Sequence, residues 1–537
     1  MHLLKILAFG FVSFSSAVFA DSYDLPILII NTNGVSIPDK PKTEGALRVL
    51  DFGTNSLNDS LQVEAMRIGI ETRGQTSAAF KKKSYGFELR DTNGEEMAAP
   101  LLGLPDGDDW VLHGPYVDKT LIRNALAYYL YTVAGRYSPR TRFVEMFLNG
   151  EYQGVYLLVE KIKRGKDRIN IKKLDEADTA GDALTGGYIF RVDKLNAGNS
   201  NLSKEGFKSS DGLQMIYHYP KIENMAESQK SYLQNTFNTF EKTVDAASGS
   251  ESSPAYLSVL DVDAAVDYIL HQEITKNSDA YICSFYMSKN RDSEGGKIVL
   301  GPPWDFNLAF GAVSYNSNMD STGWQINQNF SGTYIIAPWL KNLFKDSYFQ
   351  AKFKSRWAEL RSSVWHSKNV DKFIDSVSAL IAQASQRNFS KWNVLGTAIG
   401  MDGEPGCSTT GWFSLCFNGY SEATWNLEVT HMRNYYKARI RWMDSQLGFT
   451  EPAEPLATEK ISSHHFNSDV SSFRYVDGGL IVGSVSGGNI AVYDIRGKRI
   501  QSMRINPGET FVPLPNRFRY APVLVILNGK RMISFRK

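Results

Sequence analysis

The hydrophobic pattern of this 537-residue chain changes twice along its length, and this change limits the possible folds more than any other feature. Alternating apolar residues with glycine turns dominate the N-terminal part and predict a β-rich region. From about residue 225 to Gly448 the apolar residues recur mainly at helical spacing, and short strands return after about residue 460. The sequence therefore predicts an α+β fold that ends in a small β-sandwich.

The clearest local prediction is a β-hairpin over residues 142–160, RFVEMFLNGEYQGVYLLVE. Two apolar or alternating strands flank Asn149-Gly150, a dipeptide that easily adopts the positive φ of a type I′ turn. Upstream, LIRNALAYYLYTVAG has apolar residues at helical spacing and predicts a helix that stops at Gly135. The last long helix is expected to end at a Gly448 cap.

The first 20 residues have the pattern of a secretory signal peptide. Lys5 precedes an apolar run that ends at Phe14, and Val18 and Ala20 fit the −3 and −1 positions of a cleavage site. Neither this run nor any later stretch reaches the ~20 apolar residues that span a bilayer. We expect cleavage after Ala20 and a mature protein that is secreted or held on the outer cell surface, without a transmembrane helix.

Charge and cysteine content narrow the possible functions. The 59 Lys and Arg residues nearly balance 57 Asp and Glu, and a net charge of +2 gives no field to attract nucleic acid or an anionic membrane. Three cysteines are too few for a disulfide framework. Cys407 and Cys416 bracket a short Gly- and Ser-containing loop and are expected to pair, whereas Cys283 is expected to be a buried small hydrophobe.

Two aspartates stand in sequences that suit phosphoryl transfer: Asp279 in ITKNSDAY and Asp305 in GPPWDFN. This reaction needs hard oxygen ligands for the metal ions on the phosphates and a carboxylate that orients the acceptor hydroxyl. An isolated Asp at a strand end is more often a turn former, so neither residue alone carries the interpretation. The Walker sequence is absent from the chain, which argues against a P-loop enzyme.

Five segments in order resemble the CotH kinase family, and the resemblance runs from Leu25 to Gly448. The segments are RGQTSAAFKKKSYGFEL, LIRNALAYYL, VEMFLNGEYQGVYLLVEKIKR, TKNSDAY and GPPWDFNLAFG. The resemblance implies an atypical protein-kinase-like fold over residues 21–450, with a β-rich lobe and a helical lobe. It also implies ATP and Mg²⁺ or Mn²⁺ as cofactors.

The resemblance implies roles on the nucleotide side of the site. Lys83, with Lys82, corresponds to the basic pair that would neutralise the phosphates. Arg73 and Gly74 would shape the loop over the phosphates, and Ser77 would donate a hydrogen bond there.

Two more residues of the matched segments keep two interpretations each. Glu160 is either a hinge residue near the nucleotide or an ion-pair partner between the lobes. Trp304 either stacks on the base or packs against the protein.

On the catalytic side, Asp305 resembles a metal-binding Asp, with Asn307 beside it. Asp279 is assigned to the acceptor hydroxyl, with Asn277 near it, although metal ligation suits Asp279 equally. Many family members have an Asn five residues after the first Asp and an Asp two residues after the second. Here Ser284 and Asn307 hold those places, and their neutral oxygens ligate Mg²⁺ with less charge.

The C-terminal residues are expected to form a separate unit. EPAEPLATEK, residues 451–460, has the composition of a linker. Residues 461–537 contain GGLIVGSVSGGNIAVYDIRGKRI, which resembles the sorting domain of the bacterial type IX secretion system and implies secretion machinery as a partner. A carbohydrate-binding or adhesive β-sandwich is the alternative.

Together these features favour a secreted kinase that uses ATP and Mg²⁺ to phosphorylate Ser or Thr of an extracytoplasmic protein. Transfer of a nucleotidyl group on the same fold is a second possibility. A catalytically inactive surface or glycan-binding protein is the third. Ser284 and Asn307 favour it, whereas the presence of Asp279, Asp305 and the basic pair argues against it.

Overall fold

The computed structural model describes residues 22–456 and the strands of the C-terminal segment. The gaps are at 76, 196–200, 247–253, 315–317, 330–333, 401–402, 407–416 and 418–419, and the C-terminal ranges are 470–476, 479–484, 488–494, 499–506, 508–514, 523–527 and 530–534. The predicted signal peptide and the predicted pair Cys407 and Cys416 lie outside the described residues.

The N-terminal part of the protein is a closed seven-stranded barrel. The first nine strands are β1 (Ile27–Asn31), β2 (Thr43–Leu50), β3 (Met66–Arg73), β4 (Ser84–Arg90), β5 (Ala99–Leu101), β6 (Leu104–Gly107), β7 (Asp109–His113), β8 (Thr141–Leu148) and β9 (Glu151–Glu160). The barrel order is β1-β2-β3-β4-β7-β9-β8, and parallel pairing of β1 with β8 closes it. Buried side chains such as Leu28, Ile68 and Leu158 fill the interior.

The hairpin predicted around Asn149-Gly150 is confirmed. Leu148 pairs with Glu151, and the turn residues have φ angles of 50° and 85°. Both angles are positive, as a type I′ turn requires. The helix predicted next to it is α1 (Arg123–Val133), and Gly135 follows with a φ of 90°.

The rest of the body combines a five-stranded sheet with helices. The strands are β10 (Tyr188–Val192), β11 (Gly206–Lys208), β12 (Gln214–Tyr219), β13 (Phe285–Lys289) and β14 (Ile298–Leu300), in the order β11-β12-β10-β13-β14. The helices are α2 (Gly181–Leu184), α3 (Glu227–Asp245), α4 (Val262–Thr275), α5 (Pro338–Lys345), α6 (Ser347–Ser362), α7 (Ser367–Lys391) and α8 (Trp425–Leu447). Helix α8 ends at Gly448 in the left-handed conformation, as predicted.

Helix α4 is the central element of this body. Thirteen of its residues are buried, so the helix is covered on every side rather than along one stripe. It packs against α1, α6 and α8, and one continuous hydrophobic core joins these helices to the sheet. The loops at the end of α4 and after β14 are therefore held by a rigid framework.

The C-terminal segment forms two antiparallel sheets. Its strands are β15 (Val470–Val476), β16 (Gly479–Ser484), β17 (Gly488–Asp494), β18 (Arg499–Ile505), β19 (Gly508–Pro513), β20 (Val523–Leu527) and β21 (Lys530–Ser534). Their orders are β15-β16-β19 and β18-β17-β20-β21. Val482, Ile490 and Val512 belong to one small core that both sheets share.

The mixture of sheets and helices confirms the predicted α+β class. Closure of the N-terminal strands into a barrel was not predicted. Among the described residues, no helix combines the length and the apolar character needed to cross a membrane.

Candidate functional site

Asn277 ties together the two loops that carry Asp279 and Asp305. Asp279 lies between α4 and β13, and Asp305 lies just after β14, the neighbour of β13 in the sheet. The side-chain amide of Asn277 donates to the carbonyl of Asp305 at 3.1 Å and accepts from the backbone N–H of Asp279 at 3.4 Å. Asn277 is buried, so its amide works as an internal brace between the two loops.

The backbone of both loops is strained. Non-glycine residues have positive φ angles at Lys276, Tyr281, Ser284, Asp305 and Phe310. Such residues cost roughly 1–3 kcal/mol each and cluster where the surrounding structure enforces a functional geometry. The concentration of five around the two aspartates marks these loops as a candidate site.

Helix α1 holds the Asp305 loop in place. The backbone N–H of Asp305 donates to the hydroxyl of Tyr128 at 3.3 Å, and that of Phe306 donates to the Asn124 side chain at 2.6 Å. Both acceptors are buried residues of α1. These two hydrogen bonds to α1 therefore fix the path of the backbone at Asp305, after strand β14.

A buried ion pair between Glu273 and Arg439 holds the loop that carries Asp279. Glu273 of α4 accepts from the Tyr281 hydroxyl at 2.9 Å and pairs with Arg439 of α8 at 3.0 Å. Both charged side chains are completely buried, and further backbone N–H groups satisfy the Glu273 carboxylate. A pair with this many partners holds a loop firmly, because breaking it would leave a buried charge uncompensated.

The two aspartates lie in a common electrostatic field. Burial raises the pKa of Asp305 to about 6, with a further contribution from the charge of Asp279, while Arg73 acts in the opposite direction. Burial also raises the pKa of Asp279, which Lys194 opposes. Asp305 is nevertheless open to solvent. Asp305 is thus an accessible carboxylate with protein around it, and we call the space next to Asp305, Asp279 and Arg73 the cleft.

The barrel contributes Arg73 to this cleft. Arg73 ends β3, and its guanidinium lies 5.5 Å from the centre of the Trp304 ring. Trp304 is half-buried and packs against Tyr128 with ring centres 6.5 Å apart, which favours the packing interpretation of this residue. The charge of Arg73 also acts on Asp305, so a cation of the barrel lies near a carboxylate of the body.

The loop after β3 depends on glycine. Gly74 has a φ of +103°, and a Cβ atom there would lie 1.9 Å from the Ser77 hydroxyl. The loop therefore folds back on itself at Gly74. Beyond it, the side-chain amide of Gln75 donates to the carbonyl of Leu195, so the loop touches the far side of the cleft.

Sequence reasoning missed Asp193 and Lys194, whose charges act on both aspartates. They follow β10 directly, and the charge of Asp193 acts on both Asp279 and Asp305. The Lys194 ammonium lies 5.7 Å from the centre of the Tyr334 ring. The signal was an Asp-Lys dipeptide at a strand end, which is hard to separate from an ordinary turn.

Residues 70–443 match the family described as CotH kinase protein, and this match covers well over half of the chain. The chain belongs to the CotH kinase family. It is also similar to the inner spore coat protein H of Bacillus subtilis (strain 168). The two are 22% identical over 311 residues, which cover 55% of this chain and 77% of that protein.

The basic pair inferred from the CotH resemblance is placed differently from expectation. The Lys82 ammonium is buried and donates at 2.6 Å to the Val155 carbonyl and at 2.6 Å to the Asn388 side chain of α7. Burial holds the pKa of Lys82 well below its usual value. Lys83 donates to the Ala78 carbonyl at 2.6 Å. We therefore correct the assignment of Lys82 from phosphate contact to a brace between the barrel and α7.

Glu160 also has protein partners that account for its charge. It accepts from the backbone N–H of Arg140 at 2.9 Å and from its guanidinium at 2.6 Å, and Arg168 lies 3.6 Å away. Glu160 is completely buried at the end of β9. These contacts favour the ion-pair interpretation of Glu160 over the hinge interpretation, although both partners lie in the barrel region rather than across the lobes.

The donors in the cleft suit a divalent metal ion. The carboxylates of Asp305, Asp279 and Asp193, and the amide of the half-buried Asn307 two residues after Asp305, offer the hard oxygen ligands that Mg²⁺ and Mn²⁺ prefer. Among the described residues, the acidic group whose oxygens all lie within 4.8 Å of one another is not in the cleft: it consists of Glu96, Asp108 and Asp109. There Lys163 already pairs with both aspartates, so a cation is already supplied.

Proposed function

We propose that this protein is a metal-dependent kinase that transfers the γ-phosphoryl group of ATP to a Ser or Thr hydroxyl of an extracytoplasmic protein. The observation that carries the proposal is the cleft in which Asn277 braces Asp279 and Asp305 opposite Arg73. The barrel would act as the first lobe and the helical body as the second. The nucleotide would lie between them, as in a two-lobed kinase.

The cleft residues have complementary roles in this proposal. Asp305, with Asn307, would hold a Mg²⁺ or Mn²⁺ ion, which neutralises charge on the phosphates when bound. Arg73 would present its planar guanidinium to phosphate oxygens from the barrel side. The loop at Gly74 and Ser77 would cover the phosphates, and Lys83 lies close beneath that loop through its bond to Ala78.

Asp279 would orient the acceptor hydroxyl and take its proton. The acceptor oxygen bonds to the γ-phosphorus while the bond from that phosphorus to the bridging oxygen of ADP breaks. Because burial raises the pKa of Asp279, this carboxylate is a stronger proton acceptor than an exposed aspartate. The charge of the neighbouring Lys194 opposes this rise.

The proposed location is outside the cytoplasm. The signal-peptide pattern of the first 20 residues supports it, and so does the similarity to a spore coat protein of Bacillus subtilis. The C-terminal sheets would be recognised by the secretion machinery, as the NIAVYD segment suggests. A carbohydrate-binding role for the same sheets is the alternative for this part of the chain.

A second candidate is a catalytically inactive surface protein, because Ser284 and Asn307 offer neutral ligands to a metal. The deciding experiment incubates the mature chain and a casein-type acceptor with Mg²⁺ or Mn²⁺ and with ATP labelled at the γ or α position. We expect transfer of the γ label alone. Transfer of the α label would indicate a nucleotidyl transferase, and transfer of neither label with any acceptor tried would favour the inactive protein.

A further inference from the structure

Asp193 lies next to Ser284 where two neighbouring strands enter the cleft. Strands β10 and β13 are antiparallel, and their last registered pair is Val192 with Phe285. The next residue of each strand towards the cleft is Asp193 on one and Ser284 on the other. The carboxylate of Asp193 therefore lies beside Ser284, whose side chain offers a metal ion only a hydroxyl oxygen.

The carboxylate of Asp193 retains capacity to bind a cation. One oxygen accepts from Nε of Arg191 at 2.7 Å, and the other accepts from the backbone N–H of Lys194 at 2.9 Å. A carboxylate has about four lone-pair directions, so these two bonds do not exhaust it. Asp193 also lines a small concavity with Ile282 and Tyr334.

Three carboxylates act on one another in this cleft. The charges of Asp193 and Asp279 both act on Asp305, whereas the cations that oppose them there are Arg73 and Lys194. Arg191 is already engaged with Asp193. A divalent cation between Asp193 and Asp305 would be attracted to both carboxylates and would relieve their mutual repulsion.

We propose that Asp193 is a ligand for the divalent metal of the active site and replaces the ligand that Ser284 provides only weakly. The inference rests on the proposed function, because it assigns a residue to the metal site of the proposed kinase. It also supports the role proposed above for Asp279. With Asp193 and Asp305 on the metal, Asp279 remains for the acceptor hydroxyl.

The test measures free Mn²⁺ by electron paramagnetic resonance during titration of the mature chain with Mn²⁺ and a non-hydrolysable ATP analogue. We expect Asp193→Asn to weaken Mn²⁺ binding by about tenfold or more, because affinity follows the charge of the ligands. Arg191→Gln is the matched control, since it removes the same ion pair and keeps the carboxylate. Its Mn²⁺ affinity should stay within about threefold of the parent.

Ser284→Asn provides a second measurement that does not require Asp193→Asn to fold. Asn tolerates the φ of 51° at position 284 and adds an amide oxygen beside Asp193. We expect it to tighten Mn²⁺ binding in the parent chain and to restore part of the affinity in the Asp193→Asn chain.

Two results would overturn the inference: unchanged Mn²⁺ affinity in Asp193→Asn, or an equal loss in Arg191→Gln, which would show a structural role. Asp305→Asn separates this failure from that of the proposed function. If Asp305→Asn loses Mn²⁺ and Asp193→Asn does not, the kinase proposal stands and only Asp193 is misassigned. If the parent binds no Mn²⁺ with the nucleotide, the proposed function fails.

Discussion

The side-chain amide of Asn277 donates a hydrogen bond of 3.1 Å to the backbone carbonyl of Asp305. The same side chain accepts from the N–H of Asp279, so one amide sets the spacing of both aspartates. Asn277 contacts the backbone rather than a reacting group. Asn277 is therefore a positioning residue. The sequence placed it near Asp279, and the structure shows that it holds the backbone of Asp279 and Asp305 together.

Replacing Asn277 by Ala is expected to disturb catalysis more than nucleotide binding. The change leaves the Asp305 carbonyl without this donor and costs about 1–2 kcal/mol of stability. Misplacing Asp279 should lower the transfer rate by about 10–100-fold, whereas nucleotide affinity should change only a few-fold. Calorimetry and single-turnover kinetics measure the two effects.

Asn342→Ala is the control for that variant, because it removes a side-chain amide bond of 2.8 Å to Asp245 outside the cleft. It should cost similar stability and leave transfer intact. Equal loss of transfer in both variants would show that the effect of Asn277→Ala is only general destabilisation.

Lys82→Met is expected to destabilise the fold without weakening nucleotide binding. The variant removes the ammonium that donates to the Val155 carbonyl and to the Asn388 side chain, at a cost of roughly 1–3 kcal/mol. Lys83→Met removes a single bond at a half-buried position and should cost less. Urea unfolding and calorimetry check both statements. A tenfold loss of nucleotide affinity in folded Lys82→Met would return Lys82 to the phosphate site.

The stability of the metal-free protein should depend on pH through Asp305. Its pKa is 3.8 in an ordinary environment and about 6 in the folded protein, so between these values the folded state binds more protons than the unfolded state. Stability therefore falls as pH rises through this window. Asp305→Asn should become more stable relative to the parent over the same range in urea unfolding with a chelator. A constant difference between the two proteins would contradict the raised pKa.

The C-terminal segment is expected to be removable. A chain that ends at Thr458 retains the bond from Leu456 N–H to the Ser362 carbonyl and the Glu451 contacts with Ser367 and Arg361. It should melt in one cooperative transition at the parent temperature. A chain that ends at Gly448 loses these contacts and should be less stable by roughly 1–3 kcal/mol. Loss of cooperative melting at Thr458 would show that the segment belongs to the main fold.

The elements that the sequence predicted correctly are those that local backbone preferences determine. The turn at Asn149-Gly150 and the cap at Gly448 follow from backbone preferences that a few residues determine. Barrel closure could not be predicted in this way. It depends on pairing between β1 and β8, which are more than a hundred residues apart, and no local pattern encodes such a contact.

The sequence predicted only part of the site, because some of the site's contacts join residues that are far apart along the chain. Asp279 and Asp305 stand in recognisable motifs, whereas Asp193 reaches them only because β10 lies beside β13 in the sheet. The burial of Lys82 depends on α7, some 300 residues later in the chain. A run of three lysines gives no indication of which one turns inward.

The central claim is that Asp279 serves the chemical step while Asp305 serves metal and nucleotide binding. The most direct measurement compares nucleotide affinity with single-turnover γ-phosphoryl transfer in Asp279→Asn and Asp305→Asn. The account predicts that Asp279→Asn keeps affinity within a few-fold and loses ~10²–10⁴ in transfer, whereas Asp305→Asn loses both. Equal loss of nucleotide binding in the two variants, or unchanged transfer in Asp279→Asn, would contradict it.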